Sequence, residues 1–233
     1  MKRILLVHPS RGRPQQLINA FENFIGMSTH GNPITYLVSI DNNDSTLHEY
    51  LGRVKQHCEA LAASVGNVTF QIIHNDNNTP VQAVAWTYTP ENLENHDIIA
   101  LISDDFRMPQ GWDLMIIDEF EKHGYDKIIK THQPGGRPDL IAIQIAGSQF
   151  WKEYGSFFYH EYLSMYADDD MTAWAHLHGR VIEALHIVCL HMHPYIGLPG
   201  HLPDDETYAR ENNPMHHQVG REIFERRKAN GFR

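Results

Sequence analysis

The sequence has little cysteine and no long apolar run. Of its 233 residues, only Cys58 and Cys189 are cysteines, and they lie far apart without a CxxC partner. Two isolated cysteines form neither a disulfide framework nor a cysteine-based zinc site, so we expect a reducing, cytoplasmic setting. The apolar run behind Lys2-Arg3 ends at His8-Pro9, which is too early for a signal peptide. No run approaches the roughly 20 apolar residues of a membrane span, so we expect none.

Basic residues are also in the minority, with 19 Lys and Arg against 29 Asp and Glu, giving a net charge of −10. Affinity for a nucleic-acid backbone comes from positive charge, so sequence-independent binding of this kind is disfavoured, although a local basic groove stays open. Histidine, in contrast, is frequent, with 17 copies. Imidazole is a common metal ligand, so this number favours a metal site without locating it.

Apolar runs of strand length alternate with helical patterns over the first 125 residues. Strands are predicted at 2–7, 34–40, 68–74 and 98–102, each followed by a polar loop and a helical segment. This alternation predicts a largely parallel sheet with right-handed crossovers. Later strands are predicted at 127–131, 140–146 and 181–188, and helices at 110–123, 148–154 and 218–228. The Gly- and Pro-rich loop 133–138 predicts a wide hairpin or a mobile flap.

Polar side chains follow the predicted strands where each strand ends. Asp104 and Asp105 come directly after the strand at 98–102. Ligands in open α/β sheets bind at this edge, and two adjacent carboxylates favour a hard cation such as Mg²⁺ or Mn²⁺. The alternative is a helix N-cap, which accounts for only one of the two acids.

The loop after the first strand is rich in hydrogen-bond donors. Arg11 and Arg13, beside Ser10, are suited to binding a diphosphate, or else they are solvated arginines of an exposed loop. The loop matches neither a dinucleotide fingerprint nor a P-loop. Asp41 follows the second strand and is a candidate acceptor for hydrogen bonds from a base or ribose, with an Asx-turn as the alternative.

The later part of the chain carries acids, aromatics and histidines. Asp168, Asp169 and Asp170 begin a helix, where one serves as a cap and another is a candidate general base. The aromatic run 157–162 predicts core packing or a platform for a sugar ring. In an extended segment His191 and His193 lie on one face, as two ligands of one metal would. The alternative is one structural and one surface histidine.

In their order along the chain, these segments resemble the nucleotide-sugar-dependent glycosyltransferases of the GT-A fold, family 2-like, with short phage and bacterial members nearest. The resemblance covers about residues 2 to 210 and rests on Ser10–Pro14, Asp41, Ser103–Asp105, Tyr166–Asp170 and His191–Pro194. It implies one Rossmann-like α/β domain over residues 1–233, with helices on both faces of a mostly parallel sheet and a smaller acceptor-side β and aromatic segment. Residues 1–125 would bind the nucleotide, 126–210 would serve the acceptor and catalysis, and 211–233 would form the C-terminal helix.

The same resemblance implies roles for individual residues. Ser103-Asp-Asp105 stands where the family has its DxD motif, departing from it at Ser103. Asp105 is then expected to bind Mn²⁺ or Mg²⁺, with His193 or His191 completing the metal shell. Asp169 is the expected base, with Asp168 and Asp170 as alternatives. The expected contacts of the nucleotide-sugar are Pro9, Ser10, Arg11, Arg13, Asp41, Asn77 and Asp104.

The implied reaction moves a sugar from a nucleoside-diphosphate sugar, with a UDP-sugar as the expected donor, to an acceptor hydroxyl. Inversion of configuration is expected and retention stays an alternative. The acceptor is open between a saccharide, a lipid carrier, a protein and a modified nucleobase in phage DNA. A DNA acceptor would need a basic groove, for example from Arg137, Lys152 and the cluster 226–228. Competing hypotheses are a sugar-nucleotide nucleotidyltransferase, an inactive nucleotide-sugar-binding module and a His/Asp metallohydrolase.

Overall fold

The computed structural model describes residues 1–233 and has a seven-stranded sheet at its centre, in the order β3-β2-β1-β4-β7-β6-β8. A separate two-stranded sheet pairs β5 with β9. The strands are β1 (Ile4–Ser10), β2 (Ile34–Asp41), β3 (Val68–Asn75), β4 (Ile98–Leu101), β5 (Phe106–Arg107), β6 (Ile128–His132), β7 (Gln144–Gly147), β8 (Val181–Val188) and β9 (Leu190–His191).

Ten α-helices surround the sheet. They are α1 (Pro14–Gly26), α2 (Leu47–Glu49), α3 (Lys55–Val65), α4 (Pro80–Ala85), α5 (Pro90–Asn95), α6 (Trp112–His123), α7 (Ser148–Tyr154), α8 (Ala167–Leu177), α9 (Glu206–Glu211) and α10 (Pro214–Ala229). A π-helical turn, Tyr50–Val54, joins α2 to α3. None of the helices combines the length and apolarity that crossing a lipid bilayer requires.

The strand directions bring six carboxyl ends to one edge of the sheet. β1 pairs in parallel with β2 and β4, β2 with β3, and β6 with β8. β7 alone runs against both of its neighbours, β4 and β6. The predicted mostly parallel sheet is therefore confirmed, and β6 and β7 form the predicted hairpin. We call this edge, where β1 to β4, β6 and β8 end, the carboxyl edge.

Both faces of the sheet are covered, which is why its central strands are continuously apolar. Ile4 and Leu6 of β1 belong to a core of 31 buried residues together with Phe21 and other side chains of α1, α3 and α6. Leu5 and Val7 point to the other face, into a core of 15 buried residues. Burying one such side chain contributes roughly 1.5–3 kcal/mol. A one-residue slip of β1 would exchange the two sets of side chains, so its register is strongly fixed.

Several predicted boundaries are shifted for local reasons. The helix predicted from residue 110 begins at Trp112 because Gly111, just before it, has the left-handed φ of 75°. The C-terminal helix begins at Pro214 rather than at 218. Asn213 caps it by accepting a hydrogen bond from the backbone N–H of His216 at 3.0 Å, and proline is favoured at the next position. The helices α5 and α9 and the pairing of β5 with β9 had no counterpart in the prediction.

Gly147 of β7 lies so close to the backbone of Tyr125 that a side chain would not fit there. A Cβ built on Gly147 would lie 2.0 Å from the backbone oxygen of Tyr125. We predict that Gly147→Ala lowers the free energy of unfolding by about 1–3 kcal/mol, because the backbone must shift to relieve this overlap. Urea denaturation measures the change. Gly52→Ala is the matched control, since nothing lies within 4 Å of its built Cβ. A helical alanine there should stabilise by up to about 1 kcal/mol, and equal stabilities of the two variants would contradict the prediction.

Candidate functional site

The loop after β1 meets the ends of β2 and β4 at the carboxyl edge. Arg13 donates from Nη1 to Asp104 at 3.3 Å. Arg11 forms an ion pair with Asp41 and donates to Asn43 at 2.6 Å. Four predicted site residues from three loops are thus brought together. Both carboxylates are buried, so the arginines that neutralise them are required for the stability of this edge as well.

Two side chains that the sequence did not indicate hold the β1 loop in shape. The hydroxyl of Tyr50 lies 2.8 Å from Ser10 Oγ and accepts a hydrogen bond from the backbone N–H of Arg13 at 2.9 Å. Asp44 accepts from the backbone N–H of Gly12 at 2.8 Å. These bonds fix the backbone from which both arginines extend. Pro9 lies within β1 opposite Ser39 in the register of β2.

The small sheet of β5 and β9 delivers the histidine segment to the acidic pair. Phe106 pairs with His191, and the backbone N–H of Met192 donates to the backbone oxygen of Asp105 at 2.7 Å. As a result, Nε2 of His191 lies 3.1 Å from Oδ2 of Asp105. His193 is farther out, with its ring centroid 5.2 Å from that of His191. Of the two histidines, His191 is therefore the one in contact with the acidic pair.

The pKa values of the two carboxylates, Asp104 and Asp105, are shifted in opposite directions. Burial raises the pKa of Asp104 and the charge of Asp105 adds to this, while Arg13 opposes it. Burial also acts to raise the pKa of Asp105, but the hydrogen bond and charge of His191 and the hydrogen bond from Ser103 outweigh it and lower the pKa. Asp105 is therefore ionised at neutral pH, and it is the carboxylate of the pair that contacts His191.

The donor set around Asp105 fits a divalent cation only in part. No three His, Cys, Asp or Glu side chains are arranged to hold a metal by themselves. Asp105 and His191 offer two adjacent donors. Magnesium sites commonly use one or two carboxylates and take their remaining ligands from phosphate oxygens and water. The residues present therefore fit a cation whose coordination is completed by a bound phosphate compound.

The three aspartates at the start of α8 have different surroundings. Asp170 is fully buried, accepts hydrogen bonds from the hydroxyls of Tyr154 and Tyr162, and pairs with Arg227 of α10 at 2.6 Å. Asp169 pairs with Arg137 at 2.7 Å. Asp168, partly buried and without an ion pair, has its pKa raised to about 6 by burial and by the charge of Asp169. Asp170 thus fastens α8 to α10, and the other two acids lie closer to solvent.

The loop 133–138 links these acids to the histidine segment. Its Arg137 reaches Asp169, and a Cβ built on its Gly135 would lie 2.8 Å from Cγ2 of Ile196, just beyond His193. The loop therefore packs between the start of α8 and the residues that follow β9. The loop thus connects the second predicted cluster to the segment that follows His193.

The structure bears on the two alternatives left open for the aromatic run and on the residues named for a basic groove. Arg227 is buried against Asp170, and Arg226 and Arg137 are paired with Glu161 and Asp169. These three arginines are therefore engaged by acids of the same chain. Phe157 and Tyr162 of the aromatic run are buried, so they contribute to the core.

A segment near the C-terminus covers the arginine loop. We call residues 203–211 the strap. Asp205 accepts two hydrogen bonds from Arg13, at 2.7 Å from Nε and 2.6 Å from Nη2. Arg210 lies 3.5 Å from Asp41 and donates to the backbone oxygen of Asn78. The neighbouring Asn77 is buried and leaves its side-chain oxygen without a partner. The strap therefore contacts residues that were predicted to bind a nucleotide.

Asp170 and Asp169 differ in burial, which yields a stability prediction. We expect Asp170→Ala to lower the free energy of unfolding by about 3–5 kcal/mol, because it leaves the guanidinium of Arg227 buried without its partner. Asp169→Ala is the matched control on the same helix, where Arg137 is half exposed and the loss should be about 0–1 kcal/mol. Urea denaturation of both variants measures the change in the free energy of unfolding. Decreases of similar size in the two variants would refute the structural role of Asp170.

Comparison with known proteins identifies the fold. No protein-family model and no curated protein sequence matches the chain. The crystal structure of S. aureus TarS superposes with a TM-score of 0.54 at 12% identity, covering 81% of this chain. TarS 1–349 in complex with UDP gives a TM-score of 0.54 at 14% identity, covering 98% of this chain and 72% of that one.

A mannosyltransferase, PcManGT from Pyrobaculum calidifontis in complex with GDP-Man and Mn²⁺, superposes with a TM-score of 0.60 at 8% identity, covering 98% of this chain and 75% of that one. This chain spans 35% of the TarS chain. The seven-stranded, mostly parallel sheet with helices on both faces is that of a GT-A, Rossmann-like fold.

Proposed function

We propose that the protein is a metal-dependent glycosyltransferase that moves a sugar from a nucleoside-diphosphate sugar to an acceptor hydroxyl. The observation that carries the proposal is the convergence of Arg13, Asp104 and the Asp105–His191 contact at the carboxyl edge of a GT-A sheet. A nucleoside-diphosphate sugar carries negative charge on its diphosphate. A cation ligand next to a phosphate-binding arginine can neutralise this charge when the donor binds and when the nucleoside diphosphate leaves.

The nucleoside would lie over the ends of β2 and β3. Asp41 provides buried acceptor atoms for a base or ribose, and the unpartnered oxygen of Asn77 provides another. The neighbouring structures were obtained with UDP in one case and with GDP-Man in the other. A uridine donor is our first expectation, and guanosine donors belong in the same screen.

The diphosphate would be neutralised from two sides. Arg13 and Arg11 would donate charge-assisted hydrogen bonds to its oxygens. Asp105 and His191 would hold Mn²⁺ or Mg²⁺, with His193 nearby, and a bound cation supplies positive charge that stabilises the departing diphosphate. These positive groups would stabilise the negative charge that develops on the diphosphate as its bond to the sugar breaks.

The base would come from the start of α8. Asp169 was the first expectation, but it is paired with Arg137, whereas Asp168 has no ion pair. Burial, with the charge of Asp169, raises the pKa of Asp168 to about 6, near the working range of a general base. We therefore assign the base role to Asp168 and the anchoring of the loop 133–138 to Asp169. Asp168 takes the hydroxyl proton, the acceptor oxygen bonds to the anomeric carbon, and the bond to the diphosphate breaks on the opposite side, inverting the configuration.

The first test concerns the cation ligand. We expect Asp105→Asn to lower transfer or hydrolysis of a UDP- or GDP-sugar by on the order of 10²–10³-fold, since the cation that neutralises the leaving diphosphate would lose its anionic ligand. Product analysis should find nucleoside diphosphate, whereas a nucleotidyltransferase would release pyrophosphate. Asp118→Asn, an exposed acid on α6, serves as the control. Undiminished turnover of the Asp105 variant, or of the wild type in excess chelator, would rule out the proposal.

The second test separates the two partly buried acids of α8, Asp168 and Asp169. In the wild type the rate should rise with pH through about 6, because Asp168 accepts a proton only after losing its own. Asp168→Asn should lower the rate by about 10²–10⁴-fold. Asp169→Asn should lose less, and its pH profile should shift to lower pH, because the charge that helps to raise the pKa of Asp168 is removed. A pH–rate series of the three proteins measures this, and a fully active Asp168 variant would exclude it as the base.

A further inference from the structure

The strap places a carboxylate where the proposed function needs a phosphate. Asp205 accepts from Nε and Nη2 of Arg13 at 2.7 and 2.6 Å, a two-point contact. Arginine offers phosphate the same pair of parallel N–H groups. Arg13 also donates to Asp104 at 3.3 Å and is only 12% exposed. A diphosphate that approaches Arg13 therefore finds its best donors already bound by Asp205.

The carboxylates around Arg13 lead to the same conclusion. Its guanidinium is shared between Asp104 and Asp205, whereas Asp41 is paired with Arg11 and with Arg210 of the strap. A diphosphate that approaches Arg13 meets these two carboxylates, and like charges at close range repel strongly where little water is present. The carboxylate of Asp205 and the diphosphate therefore compete for one position on Arg13.

The strap is held mainly by polar contacts, and its helix α9 has no buried residue. Besides the contact of Asp205, Thr207 Oγ1 donates to the backbone oxygen of Arg11 at 3.0 Å, and Arg210 lies near Asp41 and donates to the backbone oxygen of Asn78. At the end of the strap, the backbone oxygen of Glu211 accepts a hydrogen bond from Ser164 Oγ at 3.0 Å. Segments that bury little apolar surface open at low free-energy cost. The strap can therefore leave the site without disturbing the two cores.

We propose that the strap is a self-inhibitory lid in which the carboxylate of Asp205 takes the place of the donor's diphosphate on Arg13, so that nucleotide binding requires the strap to be released. This inference rests on the proposed function and adds regulation to the same site. It predicts that the wild-type protein binds nucleoside diphosphates more weakly than a variant in which Asp205 no longer pairs with Arg13.

A matched pair of variants tests the competition. Asp205→Asn removes the charge yet keeps the cap of α9, because asparagine also accepts the hydrogen bond that Asp205 receives from Tyr208 N at 2.8 Å. Asp204→Asn makes the same change at the exposed neighbouring residue. Calorimetry with UDP and GDP in the presence of Mg²⁺ should show about tenfold tighter binding for Asp205→Asn and no change for Asp204→Asn.

Equal affinities of the wild type and both variants would overturn the lid while leaving the proposed function intact. Weaker binding by Asp205→Asn would do the same, since Asp205 would then help the ligand to bind. If none of the three proteins binds UDP or GDP, the proposed function fails, and the lid fails with it.

Trypsin cleavage after Arg210, within the strap, gives a readout that needs no ligand. Without nucleotide, Asp205→Asn should be cut several-fold faster there than Asp204→Asn, as mass spectrometry of the fragments would show. Adding UDP with Mg²⁺ to the wild type should also speed this cut. An unchanged rate in the ligand-free comparison would overturn the inference. Slower cutting with UDP would overturn it too, because the strap would then close over the nucleotide.

Discussion

The guanidinium of Arg13 connects the three parts of the carboxyl edge. It reaches Asp104 at the end of β4 and Asp205 in the strap, and its own loop follows β1. Removing one partner of a buried ion pair typically costs about 3–5 kcal/mol, so these groups depend on one another. The buried acids of this edge suit it to a cation, and its arginines suit it to a phosphate. The ion pairs that stabilise the edge are therefore formed by the same residues that we propose to bind the ligand.

The sheet explains why the charges meet there. Six of the seven strands end at one edge because only β7 runs in the opposite direction. Loops far apart in sequence consequently lie side by side. β5 and β9 extend the arrangement by carrying His191 to Asp105, a contact between residues 86 positions apart. Rigid strands covered on both faces hold these loops in place, whereas the helix of the strap buries none of its residues.

Much of the sheet and part of the site were predictable from sequence. Buried parallel strands need continuous apolar runs, so β1, β2 and β4 were recognisable, and their polar ends followed directly. The contact between Arg13 and Asp205 was not predictable, because it joins residues 192 positions apart and an N-cap aspartate carries no sign of a second partner. Strands of two residues such as β5 and β9 have no periodicity to detect. The three consecutive aspartates looked alike in sequence, and only packing against Arg227 distinguishes Asp170.

The central claim is that the carboxyl edge binds a cation at Asp105 and a diphosphate at Arg13. A crystal structure of the protein with Mn²⁺ and UDP tests it most directly, using anomalous scattering to locate the ion. The account predicts an anomalous peak in contact with Asp105 and His191, a diphosphate bridging that peak to Arg13, and Asp205 withdrawn from the guanidinium. Nucleotide density elsewhere on the molecule, or an ion that contacts neither Asp105 nor the diphosphate, would contradict it.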